Sequence, residues 1–445
     1  MKVYEFLSAE MDFMMHAFLS RRRGVLSWAT LLWVTLGAMV LPPAWGEERV
    51  DFKKAFDSAL QNTEFAKISQ SEAAQAAERV KQANGAILPS LALNASYTRQ
   101  QDVNATGGLS SSFQRPDQHS IRVTATQPLF RGLREFAALR AAGNAEESAK
   151  ALADNARLLL FSAVGEAYYN VASAEQDLKN LHTLFDLSRK QVKELEGRVK
   201  IGRSRKADLF TAESQAAAVQ AQIQAADAIV QQTRDNFAYS TGLNRLTPID
   251  SQTALPSRLV PIDQYLARIE IRPDIRSRQE LLRVAEENVS IARGQHLPSL
   301  DFSGNYYLNR TGILEPVKWD IGFNLSFPIF SGGVTSSQVR EASLRSQEEE
   351  LVLSRARRLA SRDIHSAYEL VENGIQQIKY LEVAVETTER TFRTQNADFR
   401  LGLVPNLDVI QSLNASADAK RTLDRTQFQA QIAWINLQAA VGDLK

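Results

Sequence analysis

Two aspartates stand at matched places in this chain. Asp208 and Asp408 are 200 residues apart, and each lies a few residues into a helical pattern. A carboxylate in the first turn of a helix complements the helix dipole, so a structural role is the plainest one. Arg203 and Arg205 come just before the first aspartate, and Gln411 comes one turn after the second. The other reactive residue types form no constellation. The five histidines (His16, His119, His182, His296, His365) are scattered, with no two at ligand spacing on one helix face and no HExxH. The absence of cysteine excludes disulfides, thiolate metal sites, a cysteine nucleophile and an acylated amino-terminal cysteine. No catalytic, cofactor or metal site is expected, and the chain does not read as an enzyme.

The elements that hold the aspartates are long helices. The 445 residues carry 52 basic and 51 acidic side chains, a balance that gives no electrostatic footprint for nucleic acid. Residues 1–46 read as a secretory signal: Arg21, Arg22 and Arg23, an apolar run over 24–41, then Ala44-Trp45-Gly46 as a cleavage site. Residues 50–86 are helical in pattern. A helix predicted from about 134 to 201 contains no proline and is about 100 Å long at 1.5 Å per residue. A second helix follows over 206–239, and a proline-bearing linker spans 247–262.

Then the order repeats. Helical patterns recur over 273–294, 335–401 and 405–441. Pro128-Leu129-Phe130 returns as Pro328-Ile329-Phe330, Ala167-Tyr168 as Ala367-Tyr368, Gly202 as Gly402, Asn236 as Asn436 and Gly242 as Gly442, all offset by 200 residues. We read this as an internal duplication: 47–246, a linker at 247–262, then 263–445. Both long helices carry a 3-4 apolar seam, Leu178, Leu181, Phe185, Val192, Leu195 in the first and Ile378, Leu381, Val385, Phe392, Phe399 in the second. Such a seam supercoils against a neighbour. The returning helix answers the first with Leu209, Ala212, Ala216, Val219 and Ile223. At the turns, Gly202 and Gly402 are predicted as left-handed C′ residues, Ser204 as an N-cap and Pro405 as a first helical residue.

Each half also carries a strand pair, at about 88–130 and 298–330. In the second, Leu300, Phe302, Gly304, Tyr306 and Leu308 alternate with polar residues, as do Trp319, Ile321, Phe323, Leu325 and Phe327. Period two places each set on one face. Segments of about 10 residues suit tilted membrane strands, and with no other sheet to cover the apolar face, lipid is the expected cover. Four strands cannot close a barrel, and lipid tolerates no unpaired edge. Several chains must combine, and a water-filled duct needs more than the eight strands of two chains. Pro89, Pro128, Gly132, Pro298, Pro328 and Gly332 mark the passage from strands to helices. The joining loops fall near 103–115 and 310–317. The fold class is thus mainly α, with a transmembrane β-barrel part completed by other copies.

The paired Leu-Pro-Ser-Leu at 88–91 and 297–300, the exits Gln127-Pro128-Leu129-Phe130-Arg131-Gly132 and Phe327-Pro328-Ile329-Phe330-Ser331-Gly332-Gly333, Arg272-Pro273-Asp274-Ile275 and the two turn regions resemble, in order, the TolC family of outer-membrane efflux proteins. The resemblance implies a homotrimer with a twelve-stranded outer-membrane barrel, a twelve-helix periplasmic tunnel and an equatorial belt. It implies a passive exit duct of tripartite efflux or type I secretion, without cofactors. The implied partners are a periplasmic adaptor, an inner-membrane pump of RND, ABC or MFS type, and outer-membrane lipid.

For the turns, the resemblance implies a periplasmic gate at which acidic residues of the second repeat surround the axis. Asp208, Asp408, Gln411, Arg203 and Arg205 are the gate candidates. Gly202, Gly402, Leu403 and Pro405 are those for adaptor docking. One arrangement in the family has a second acidic residue where Gln411 stands, and a latching tyrosine and arginine where Phe399 and Val404 stand, which form neither bond. Arg203 and Arg205 are then the expected partners of Asp408. Two other readings share the long helical hairpins: a periplasmic adaptor and a structural coiled-coil protein. The duplicated strands count against the first, and their alternation against the second.

Overall fold

The computed structural model describes residues 49–101, 117–251, 255–311 and 314–442. The signal segment and the tip of the first strand connection lie outside these residues. The elements in order are α1 (Phe52–Asn62), α2 (Glu64–Gly85), β1 (Ser90–Arg99), β2 (Asp117–Arg131), α3 (Arg134–Lys200), α4 (Lys206–Thr241), α5 (Ile262–Leu266), a 3-10 turn (Ile269–Ile271), α6 (Pro273–Gly294), β3 (Ser299–Arg310), β4 (Trp319–Ser326), α7 (Val334–Leu401) and α8 (Asn406–Val441). Each strand pair is followed by a helix of 67 or 68 residues and a returning helix of 36.

One expected helix is two. Residues 50–86 divide at Thr63, whose extended backbone (φ −89°, ψ 153°) interrupts the helix and whose buried hydroxyl donates to the Ala59 carbonyl at 2.6 Å. Neither glycine nor proline marks the break. The short α1 is turned into a core of Phe52, Phe56, Phe161, Tyr168, Tyr169 and Phe237, whose rings meet mostly edge to face. There the Tyr168 hydroxyl donates to the carbonyls of Val50 and Asp250, tying the start of the described chain to the linker.

The long helix α3 is shared between two packing layers. Its first half lies against α2 and α6, with Arg140 gripping Glu287 through two hydrogen bonds and Ser148 meeting Ser277 at 2.9 Å. Its second half lies between α4 and α8, and Arg421 binds Asp177 in the same two-pronged way. The seam residues Leu181, Val192 and Leu195 are buried there against Val219, Ala212 and Ala216, as the 3-4 spacing predicts. α7 runs beside α6 and then α8, with α5 and the 3-10 turn packed on it through Tyr265, Leu266 and Ile269. Among the described residues no helix is long and apolar enough to cross a membrane.

The four strands form one antiparallel sheet in the order β1-β2-β3-β4. The register brings the apolar residues of all four strands to one face. Leu91, Ala125, Gly304 and Ile321 form one row; Leu93, Val123, Tyr306 and Trp319 form the next. Phe302 and Phe323 stack across β3 and β4 with ring centres 5.4 Å apart. Asn94, Arg122, Thr124, Asn305 and Asp320 occupy the other face. The outer edges of β1 and β4 have no strand partner among the described residues.

Candidate gate and its relatives

The far ends of the helices are two turns laid side by side, 201–205 between α3 and α4 and 402–405 between α7 and α8. Gly202 (φ +74°) and Gly402 (φ +78°) both take the left-handed conformation expected of them. At each turn two amides fold back onto the last carbonyls of the helix. Gly202 and Arg203 donate to Val199 and Arg198, and Gly402 and Leu403 donate to Phe399 and Asp398.

The caps differ from the predicted ones, and the difference separates the two aspartates. Arg205, not Ser204, is the N-cap of α4. Asp208 accepts from the Arg205 amide at 3.3 Å, from its guanidinium at 3.1 Å and from the Ser204 hydroxyl at 3.2 Å. Partial burial alone would push the Asp208 carboxyl up. The Arg205 hydrogen bonds, the Ser204 hydroxyl and the Arg205 charge outweigh it and hold the group below the usual carboxylate range. In the second turn Pro405 is the N-cap rather than the first helical residue. Proline has no N–H and no charge to offer. The Asp408 side chain forms no hydrogen bond or ion pair with the described residues. Within one chain, therefore, Arg205 is committed to Asp208 in its own turn, and neither it nor Arg203 pairs with Asp408. Gln411 is exposed on the next turn of α8.

Other residues stitch the turns together, and the sequence did not single them out. Asn406 is buried; its oxygen accepts from Gln191 at 2.7 Å, and its amide faces the Asp208 carbonyl at 3.4 Å. Arg198 lies over the Phe399 ring, 4.4 Å from its centre, binds Glu194 at 2.9 Å and points toward the last carbonyls of α7. Phe399 and Val404 pack into the apolar cluster of Val192, Leu195, Val409 and Ile410. At the places of Phe399 and Val404 the turn is held by apolar contact and one arginine, beside the Asn406 hydrogen bonds. Ile201, Phe210, Leu401, Leu403 and Leu407 remain exposed around it.

At the opposite end, the predicted transition residues lie where strands meet helices. Pro128 falls in β2 at a register slip, and Gly132 (φ +67°) turns the chain into α3. Gly332 (φ +61°) precedes α7, while Pro328 already lies beyond β4. Pro89 and Pro298 stand just before β1 and β3. Among the described residues no group of three histidine, aspartate or glutamate side chains is placed to hold a metal.

Comparisons with known proteins agree with this fold. The chain matches the family described as Outer membrane efflux protein over residues 56–243 and 265–443. It is 24% identical to outer membrane protein TolC of Escherichia coli over 413 residues, covering 86% of this chain and 80% of that protein. Proteases secretion protein PrtF of Dickeya chrysanthemi is 27% identical over 175 residues, 37% of this chain and 38% of that one. Among solved structures, the outer membrane protein VceC of Vibrio cholerae superposes with a TM-score of 0.78 at 22% identity, covering 88% of this chain and 96% of that chain. The CmeC outer membrane channel of Campylobacter jejuni gives 0.79 at 18% identity, covering 95% and 94%. With two matched segments that span most of its length, the chain belongs to the outer membrane efflux protein family.

Proposed function

We propose that three copies of this chain close a twelve-stranded barrel in the outer membrane and serve as the passive exit duct of a tripartite efflux or type I secretion system. The observation that carries this reading is the sheet. Its apolar residues share one face across four strands, and neither of its edges has a strand partner among the described residues. Lipid on one side and copies of the same sheet on the edges satisfy both conditions. Two halves, 47–246 and 263–445, then each supply one strand pair and one helical hairpin. The relatives' names point the same way: some are called efflux proteins, others secretion proteins. The family is one of transport, and we assign no catalysis to this chain. In membranes isolated from cells expressing the chain, a trimer that migrates as such unheated and as a monomer after boiling is expected in the outer fraction. Monomers in the soluble fraction would favour an adaptor or a coiled-coil protein.

Asp408 is the gate residue of this reading. Its carboxylate is the unpaired one of the two among the described residues, so three of them around the axis attract cations. Asp408→Ala is expected to reduce the cation preference of the reconstituted channel; unchanged preference and conductance would remove Asp408 from the gate. The exposed apolar residues around Gly402 and Leu403 fit docking of an adaptor's helical hairpin, with an inner-membrane pump of RND, ABC or MFS type supplying the energy.

A further inference from the structure

The polar face of the sheet is ordered side chain by side chain. Asn94 donates to the Thr124 hydroxyl at 3.1 Å, Thr124 to the Asn305 oxygen at 2.9 Å, and Asn305 to the Asp320 carboxylate at 2.8 Å. Every bond runs the same way, from β1 to β4, and the ladder ends on a group that only accepts. One row nearer the strand connections the register slips between the pairs Ile121–Asn309 and Arg122–Tyr307. The slip lets Tyr307 and Arg310 share the polar face. Tyr307 is the one buried residue of the four strands, at 8% exposure, although its face is the watery one. Arg310 covers it, with the guanidinium 4.1 Å from the ring centre. Tyr307 and the charges of Arg122 and Arg310 bear on the same Asp320 carboxylate. At the base of the wall, by contrast, Arg131 and Asp301 pair at 2.8 Å and leave no excess of either sign.

The geometry points to a charge-selecting girdle on the barrel wall, in which Arg122 and Arg310 outnumber Asp320 and draw small anions and the anionic groups of passing solutes. It rests on the exit-duct reading, because only a closed barrel turns this face into a lumen. Arg122, Arg310 and Lys318, whose carbonyl accepts from the Tyr307 amide opposite it at 2.8 Å, leave two positive charges per chain in excess of the one Asp320 carboxylate at this level, repeated by every copy around the lumen. Low-dielectric walls focus such a field into the water they enclose. The girdle is opposite in sign to the Asp408 gate at the other end of the duct. Solutes with both charges thus meet an attractive group at each end.

Reversal potentials of the purified trimer in planar bilayers under a KCl gradient test the girdle. Arg122→Gln with Arg310→Gln is expected to shift selectivity toward potassium by about threefold, and Asp320→Asn toward chloride by about half as much, since it removes one charge rather than two. Both shifts should shrink at 1 M salt, where the screening length falls to about 3 Å. Arg310→Lys, which keeps the charge and loses the planar stack, should stay at the wild-type value. If the double variant does not assemble, each arginine variant is read alone, with about half the shift expected. No shift, or shifts of the same sign from the arginine and aspartate variants, would overturn the girdle. Absence of any channel from the wild-type trimer would instead overturn the exit-duct reading.

Discussion

At the scale of single residues, the two aspartates are the sharpest difference between the halves. Their spacing and their place in the first helical turn were legible in the sequence, and both read as equals. The residue three places earlier decides otherwise. Arg205 offers an amide and a guanidinium to Asp208, while Pro405 offers Asp408 neither. The depressed Asp208 carboxyl makes a pH prediction of fixed sign. Its stabilising contribution is complete above the ordinary carboxylate pKa of about 3.9 and is lost as pH falls through the lower folded value. Arg205 is 80% exposed, so the effect is at most about 1 kcal/mol. Hydrogen exchange of residues 203–212, corrected for intrinsic rates, should show the turn opening more readily as pH falls toward 3. Asp208→Asn should abolish that dependence; an equal dependence in the variant would place its origin elsewhere. Asn406 and Arg198 escaped the sequence reading because nothing in a heptad pattern says which polar side chain beside a seam will reach across to another turn.

At the scale of elements, boundaries were legible wherever glycine or proline sets them. The long helices begin and end within a residue or two of the predicted places. The break at Thr63 was not legible, because packing around α1 imposes it on a residue that would also fit a helix. The same distinction predicts how two glycines respond to substitution. Gly132 has φ +67°, and an added Cβ would lie 2.2 Å from the Gly294 carbonyl oxygen at the end of α6. Backbone on both sides leaves nothing to give way, so Gly132→Ala should prevent trimers from accumulating. Gly402 has φ +78° and open space within 4 Å of an added Cβ. Gly402→Leu costs only the left-handed backbone, about 1–2 kcal/mol, and should leave trimers intact. If the turn docks an adaptor, the same variant blocks efflux. Normal efflux from Gly402→Leu trimers would confine Gly402 to shaping the turn, and normal assembly of Gly132→Ala would mean that the turn and α6 separate more easily than their contact implies.

At the scale of the whole molecule, the sequence made the shortage of strands plain but not how the edges are filled. Along one side run β4, with Ile329 and Phe330 nearly 90% exposed just beyond it, and α7 with Leu351 and Tyr380 bare; along the other run β1, α2 with Phe65 and Ile68 exposed, and α4 with Tyr239 exposed. Apolar surface on two opposite sides of one chain fits head-to-tail contacts that close into a ring. The number of chains in the ring can be counted directly, since the chain has no cysteine to interfere. Cysteines at Ala92, Ser96 or Thr98 on β1, each combined with one at Gly322, Asn324 or Ser326 on β4, all face the same polar side. Within one chain β1 and β4 are three strand spacings apart, about 14 Å. A disulfide needs Cα atoms no more than about 7 Å apart, so a bridge can form only between copies. Only the pairs in register across the junction should oxidise, and those should give a ladder of one, two and three linked chains with nothing larger. Ending at two would describe an eight-stranded barrel too narrow for a duct, a ladder continuing past three would describe a wider ring or an open filament, and no bridge at any pair would mean that β1 and β4 do not meet.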